Sequence, residues 1–194
     1  MDTSRGADGA DTDPAYDRIL DAAEELFYTQ GIRAVGMDAV RTTAGVTLRR
    51  LYQLFPAKDD LVAGYLERRD RHWRAALADH VADAATTPDE QLLAVFDWLA
   101  RWFAEPGFRG CAFVNSYGEL GATAPRVAEA ARRHKEAFHA YLADLARAAG
   151  APAGTATHLA LLAEGAITTA ALCDTPAPAA QAREAARVLL GLVD

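Results

Sequence analysis

Cysteine is scarce in this chain. The two that occur, Cys111 and Cys173, form no CxxC pair. That excludes a disulfide framework and the ligand spacing of a zinc site, and it fits a reducing, cytoplasmic setting. The first 13 residues, MDTSRGADGADTD, lack the basic start and the apolar run of a signal peptide. With one arginine against four aspartates they read as a disordered acidic tail. No apolar run approaches the ~20 residues that cross a bilayer, so no membrane partner is expected. Catalytic signatures are missing too. There is no HExxH, no GxSxG elbow, and no phosphate-gripping GxxxxGKS or GxxxxGKT. A di-metal bundle needs two Glu-x-x-His motifs and two further glutamates. Only Glu136 to His139 matches. The expectation is no enzyme, no metal and no cofactor.

Acid is absent from one stretch in an otherwise acidic chain. The formal net charge is −7, yet residues 39–58 hold Arg41, Arg49, Arg50 and Lys58 with no Asp or Glu. A basic patch on an acidic body meets a polyanion through the patch alone. A charge run can also be a solvated helix face, so the pattern around it must decide.

What is present is helix-forming. Half the residues are hydrophobic, alanine is abundant, and charged residues make up 24%. Pro14 after Asp13 opens a first helix, and Ile19, Leu20, Ala23, Leu26 and Phe27 repeat at helical spacing up to a stop at Gly31. Met37, Val40 and Ala44 mark a short second helix ended by Gly45. Thr47 can cap a third, closed by Pro56. A long fourth helix runs from Lys58 to about Ala84, and a fifth starts near Pro88 with apolar residues on two faces. CAFVNSYGEL (111–120) reads as a short helix or a strand. Pro125 opens a seventh helix, Thr155 an eighth ending near Leu172, and a ninth fills roughly 179–192. The sum is an all-α chain of about nine helices.

The second and third helices have the pattern of a helix-turn-helix. Counted from Met37, positions four, eight, ten, fifteen and eighteen are Val40, Ala44, Val46, Leu51 and Leu54, all apolar, and the turn glycine falls ninth at Gly45. The second helix of such a unit enters the major groove with its N-terminal residues at the base edges. Those residues are Thr47, Leu48, Arg49 and Arg50. An arginine fork can bond guanine O6 and N7 together; which of the two arginines reads bases stays open. Tyr52 and Gln53 are placed to reach phosphate, although Tyr52 could equally be a core aromatic. Lys58 can reach phosphate by charge and by the helix dipole.

From DRILDAAEELF to KDDLV the sequence resembles the N-terminal domain of the tetracycline-repressor (TetR/AcrR) family. The resemblance is carried by A-x-x-L-F from Ala23, Gly31, AGVT at 44–47, LY at 51–52, Phe55 and KDDL at 58–61. It implies an all-α homodimer whose small N-terminal domain, here 14–57, binds a palindromic operator in double-stranded DNA. The larger domain, here 58–194, is then expected to bind a small-molecule inducer and to dimerise. Three positions depart from the family pattern. Arg41 stands where alanine is usual and must leave the helix crossing sideways, towards phosphate. Leu54 stands where histidine is common. Gly36 replaces the usual Ser or Thr cap.

Aromatic residues in the second domain suggest a ligand cavity, since small-molecule pockets are mostly apolar with a few polar anchors. The candidates are Trp98, Trp102, Phe113, Tyr117, Phe138 and Tyr141, with Asn115, His134, Glu119 and Glu164 as anchors; the same aromatics could simply fill a core. Cys111 is expected to be a buried structural thiol. On the eighth helix Leu161, Gly165, Thr168 and Leu172 share a face, and Ala182, Ala186 and Leu189 of the ninth join it as the expected dimer interface. The competing classes are a helical enzyme and a silent dimeric module without DNA binding.

Overall fold

The computed structural model describes residues 13–192. The expected acidic tail therefore lies outside the described residues, except for Asp13. Nine helices and no strand occur among the described residues. They are α1 (Pro14–Gln30), α2 (Met37–Ala44), α3 (Leu48–Leu54), α4 (Lys58–Ala84), α5 (Pro88–Phe103), α6 (Ala112–Leu120), α7 (Pro125–Ala148), α8 (Thr155–Cys173) and α9 (Ala177–Leu189).

The helix ends follow local chemistry. Asp13 caps α1, its carboxylate accepting the Ala15 N–H at 2.9 Å, and Pro14 occupies the first helical position. The 111–120 stretch settles as helix, because Ala112, Phe113 and Ser116 share the buried side at helical spacing. Helix α9 begins two residues before the expected 179 and stops at Leu189.

Helices α1 to α3 close a small core from Ile19, Ala23, Val40, Leu51 and Phe55. Helix α4 serves both parts of the molecule. Its first turns pack on α1, and its later turns pack on α5 and α7. Arg68, buried on α4, donates to Asp21 at 2.8 Å and Glu24 at 3.2 Å on α1. Removing one partner of such a buried charge group is costly, since the other stays desolvated. One continuous cluster of buried residues runs from Ala15 to Ala186.

Helix α8 corrects the expectation that no apolar run is of spanning length. Its 19 residues carry one charged side chain, Glu164, and are long and apolar enough by composition to cross a membrane. In the fold, Leu159, Ala163, Ala166, Ile167 and Ala170 face inward, and α8 packs on α5, α7 and α9.

Candidate nucleic-acid interface and effector site

The turn between α2 and α3 is set by Gly45, at φ 63° and ψ 37°. Glycine takes this left-handed conformation without a Cβ penalty. The Val46 N–H then reaches the Arg41 carbonyl at 3.2 Å, and the Gly45 N–H reaches that of Thr42. Val40, Ala44, Val46 and Leu51 are buried and Leu54 is half-buried, so these positions close the unit's core. The other side of α3 therefore points out.

That outward side carries Leu48, 51% exposed, Tyr52, 45% exposed, and the exposed Arg49 and Gln53. Tyr52 is thus no core aromatic. Thr47 uses its side-chain oxygen to cap α3, accepting the Arg50 N–H at 3.2 Å. The cations differ in how free they are. Arg50 is half-buried and pairs with Asp13, with Gln53 Oε1 at 3.4 Å. Arg41 turns back along its own helix to Asp38 at 2.7 Å and Thr42 at 3.1 Å. Lys58 donates to the Ile32 carbonyl at 2.5 Å rather than pointing to solvent. Among the described residues, Arg49 is the cation of α3 that makes no ion pair.

The second domain is organised around Trp73 of α4. Its indole lies 4.9 Å from Trp98, 5.7 Å from Trp102, 5.0 Å from His134 and 5.3 Å from Phe138, all edge-on. Such contacts suit the aromatic quadrupole. Phe113 stacks on His134 at 3.8 Å. The aromatics thus pack on one another instead of enclosing one chamber, and they part the space beside them into three clefts. Trp98 and Trp102 line one of about 530 Å³ with His80 and Arg101. Phe138 and Tyr141 line one of about 360 Å³. Phe113 and His134 line one of about 340 Å³ with Asp70 and Arg71. Trp73 touches a ring in each.

His134 is 3% exposed, and its Nδ1 lies 2.7 Å from Asp70 Oδ1. Burial pushes the His134 pKa down to about 4, against the opposing pull of Asp70. Burial alone would raise Asp70, but hydrogen bonds from Arg74 and His134 outweigh it and hold the carboxyl below its ordinary range. At neutral pH the pair is therefore a neutral imidazole donating from Nδ1 to a carboxylate.

The N-terminal match extends over residues 19–65 to the bacterial regulatory proteins of the tetR family. Residues 88–186 match the tetracyclin repressor-like C-terminal domain, which alone is more than half the chain. The chain belongs to the TetR family. A TetR-family transcriptional regulator from Streptomyces coelicolor is 31% identical, with 93% of this chain and 96% of that one covered at a TM-score of 0.85. A putative TetR transcriptional regulator from Streptomyces avermitilis is 29% identical, with 89% and 97% covered at 0.73. An HTH-type transcriptional regulator of Mycobacterium tuberculosis is 35% identical over 82 residues, 42% of this chain and 40% of that protein's length. The relatives are regulators of transcription, not enzymes.

Within this TetR-family fold several expected anchors have other partners. Glu164 binds Lys135 at 2.6 Å across α7 and α8. Asn115 donates to the Arg109 carbonyl at 3.0 Å. Glu119 accepts two backbone N–H groups of the α1–α2 loop. Tyr117 is exposed and lines none of the three clefts. Leu161, Gly165, Thr168 and Leu172 all lie on the exposed side of α8, with Leu172 82% exposed. Ala182 and Ala186 need correction. Both are buried inside their own subunit, where α9 packs on α5 and α8, and Leu189 is half-buried; Val188 is the exposed apolar residue of α9. Cys111 is buried and Cys173 exposed, both as free thiols.

Sequence reasoning missed Trp73, although its spacing to Leu66, Leu77 and Val81 continues the buried stripe of α4 and offered a signal. Tyr28 was missed as well. Its partners Arg109 and Gly110 stand more than 80 positions away, and no local pattern announces them.

Proposed function

We propose that this TetR-family regulator is a repressor that binds a palindromic operator as a homodimer and is released by a small, mainly apolar inducer. The observation that carries the DNA half is the outward face of α3, where Arg49 stands exposed and without an ion pair among the described residues. Arg49 is assigned the bidentate contact to guanine, and Leu48 an apolar contact to a thymine methyl. Tyr52, Gln53 and Thr47 flank them for phosphate and sugar contacts. Arg41 and Lys58 serve the phosphates only if they leave Asp38 and Ile32. Arg50, paired to Asp13, is the weaker candidate for base reading.

The dimer reading is supported by α8, whose outer face is apolar and small-sided, with open space where a Cβ would sit at Gly165. The inducer reading is supported by the three clefts, each lined by a ring that Trp73 touches. Each lies in or near the range of small-molecule sites. An aromatic ligand that turns Trp73 aside joins them into one site beside His134 and the two tryptophans. Helix α4 carries Trp73 near its middle and packs on α1 through the turns before it, so it transmits the shift. The inducer must bind the released arrangement about 10⁴-fold more tightly to move occupancy from 99:1 to 1:99.

Selection of duplexes from a random pool by the purified protein tests this. The expected product is a palindrome whose half-sites stand about one helical turn, or a multiple, apart. Selection of no duplex would overturn the repressor reading in favour of a silent dimer. An inducer is then identified as a compound that lowers affinity for the selected duplex.

A further inference from the structure

The imidazole of His134 has a fixed donor side and a fixed acceptor side. A carboxylate can only accept, so the proton in the 2.7 Å contact with Asp70 sits on Nδ1. Nε2 is then a bare lone pair, and among the described residues no protein group bonds it. The side chain is 3% exposed, and buried polar atoms ordinarily have partners. His134 lines the cleft of about 340 Å³ between α4, α6 and α7, so the lone pair is offered to a molecule that enters there.

The ring is held against turning over to present its other nitrogen. Phe113 stacks on it at 3.8 Å with the planes 8° apart, and Trp73 stands edge-on at 5.0 Å. Asp70 is fixed in turn by Arg74, whose Nε lies 3.1 Å from Oδ1 and whose Nη2 lies 2.8 Å from Oδ2.

Charge around the cleft is balanced. Arg71 and Arg133 line it together with Glu67 and Asp70. Beside them Arg74 pairs with Asp70, and Glu129 lies 3.8 Å from Arg133. Three cations meet three acids, so the cleft does not select an ion. Leu66, Phe113 and Ala130 supply apolar wall. A carboxylic acid would arrive ionised, with no proton to give Nε2. An ammonium has protons but loses its hydration on burial without a free counter-charge. A phenol keeps its proton at neutral pH, brings a ring for the apolar wall and an O–H for the lone pair.

We propose that the His134 cleft binds a neutral aromatic hydroxyl compound through an O–H donated to His134 Nε2, with Asp70 as the positioning residue that keeps this nitrogen an acceptor. The proposal rests on the inducer reading above and gives that inducer a chemical class.

The test is calorimetric titration of the full chain at neutral pH with three probes of similar shape: naphthol, its methyl ether and acetylnaphthalene. Only naphthol can donate. The wild type is expected to bind naphthol about 10-fold or more tightly than the other two, since they leave the buried lone pair unmet. His134→Phe is expected to lose this preference and bind the three alike. Asp70→Asn is expected to turn the preference round. Its amide oxygen stays with Arg74 and its NH₂ donates to Nδ1, so the imidazole proton moves to Nε2 and acetylnaphthalene, an acceptor, becomes the favoured probe. A merely structural role for Asp70 would weaken all three probes together. Circular dichroism checks that each variant is folded, and should His134→Phe fail to fold, the wild type and Asp70→Asn decide the matter. A wild type that binds no naphthol, or binds it no better than the ether, overturns the proposal, as does His134→Phe with the preference intact. Naphthol preference retained in Asp70→Asn overturns the role of Asp70. The same naphthol is then added to the complex with the selected duplex. Release of the duplex supports both readings, whereas selective binding without release supports the hydroxyl site and overturns its use as the inducer site.

Discussion

The two halves of this protein are built on different physics. The helix-turn-helix is local: its turn, caps and core positions fall within about twenty residues, and Gly45, Thr47, Val40 and Leu51 do in the structure what their spacing suggests. The second domain is non-local. Trp73 meets Trp98, His134 and Phe138 across three helices, and Glu119 meets Ile32 from 87 positions away. In the first half each outward side chain is a candidate for contact. In the second, an aromatic is as much a packing element as a ligand contact, and only coordinates reveal which rings touch.

The largest effect that would sharpen this contrast is on stability. Trp73→Ala removes the hub of four aromatic contacts and is expected to cost about 3–5 kcal/mol, measured by urea unfolding. Arg49→Ala, on the exposed face, is expected to leave the unfolding midpoint within about 0.5 kcal/mol of wild type. A stable Trp73→Ala would mean that the site is a true cavity already able to relax.

Next in size is a pH effect confined to the second domain. His134 has its folded pKa at about 4, below the ordinary 6.5, because burial disfavours the imidazolium; Lys135 adds to this, while Asp70 and Glu164 oppose it. The unfolded chain then binds the extra proton between those values, so stability falls as pH drops from about 6.5 to 4. The loss is about 3 kcal/mol at most from this residue. Unfolding of wild type and His134→Phe across that range checks it. The variant is expected to lose the His134 part of the slope.

A smaller effect returns to the first domain. Thr47→Ala removes the cap on α3 and is expected to cost about 1 kcal/mol. Thermal unfolding reads it, and operator affinity should fall with it as the first turn of α3 frays.

How much was legible from sequence follows the same division. The nine helices, the cap at Thr47 and the outward face of α3 all come from neighbours three or four residues apart. The alternation in 111–120 left helix and strand open, and the packing of Ala112, Phe113 and Ser116 resolved it. The dimer-face assignment of Ala182 and Ala186 went astray because alanine marks a close helix contact without saying which helix is close. Here the contacts lie within the subunit, on α5 and α8. The sequence points Lys58 and Arg41 towards phosphate, since charge is visible in a sequence and its intramolecular partner is not. Glu119 looked like a ligand anchor for the same reason.

The most direct measurement of the central claim is the salt dependence of binding by wild type and Arg49→Ala, to the selected duplex and to a scrambled one. The wild type is predicted to prefer the selected duplex by at least about 10³-fold, within the range of specific binders. Arg49→Ala is predicted to lose about 1–3 kcal/mol of that preference, with binding to scrambled duplex weakened far less and the salt slope changed by about one contact at most. If Arg49→Ala keeps the full preference, α3 does not read the DNA through this residue and the account of the interface is wrong.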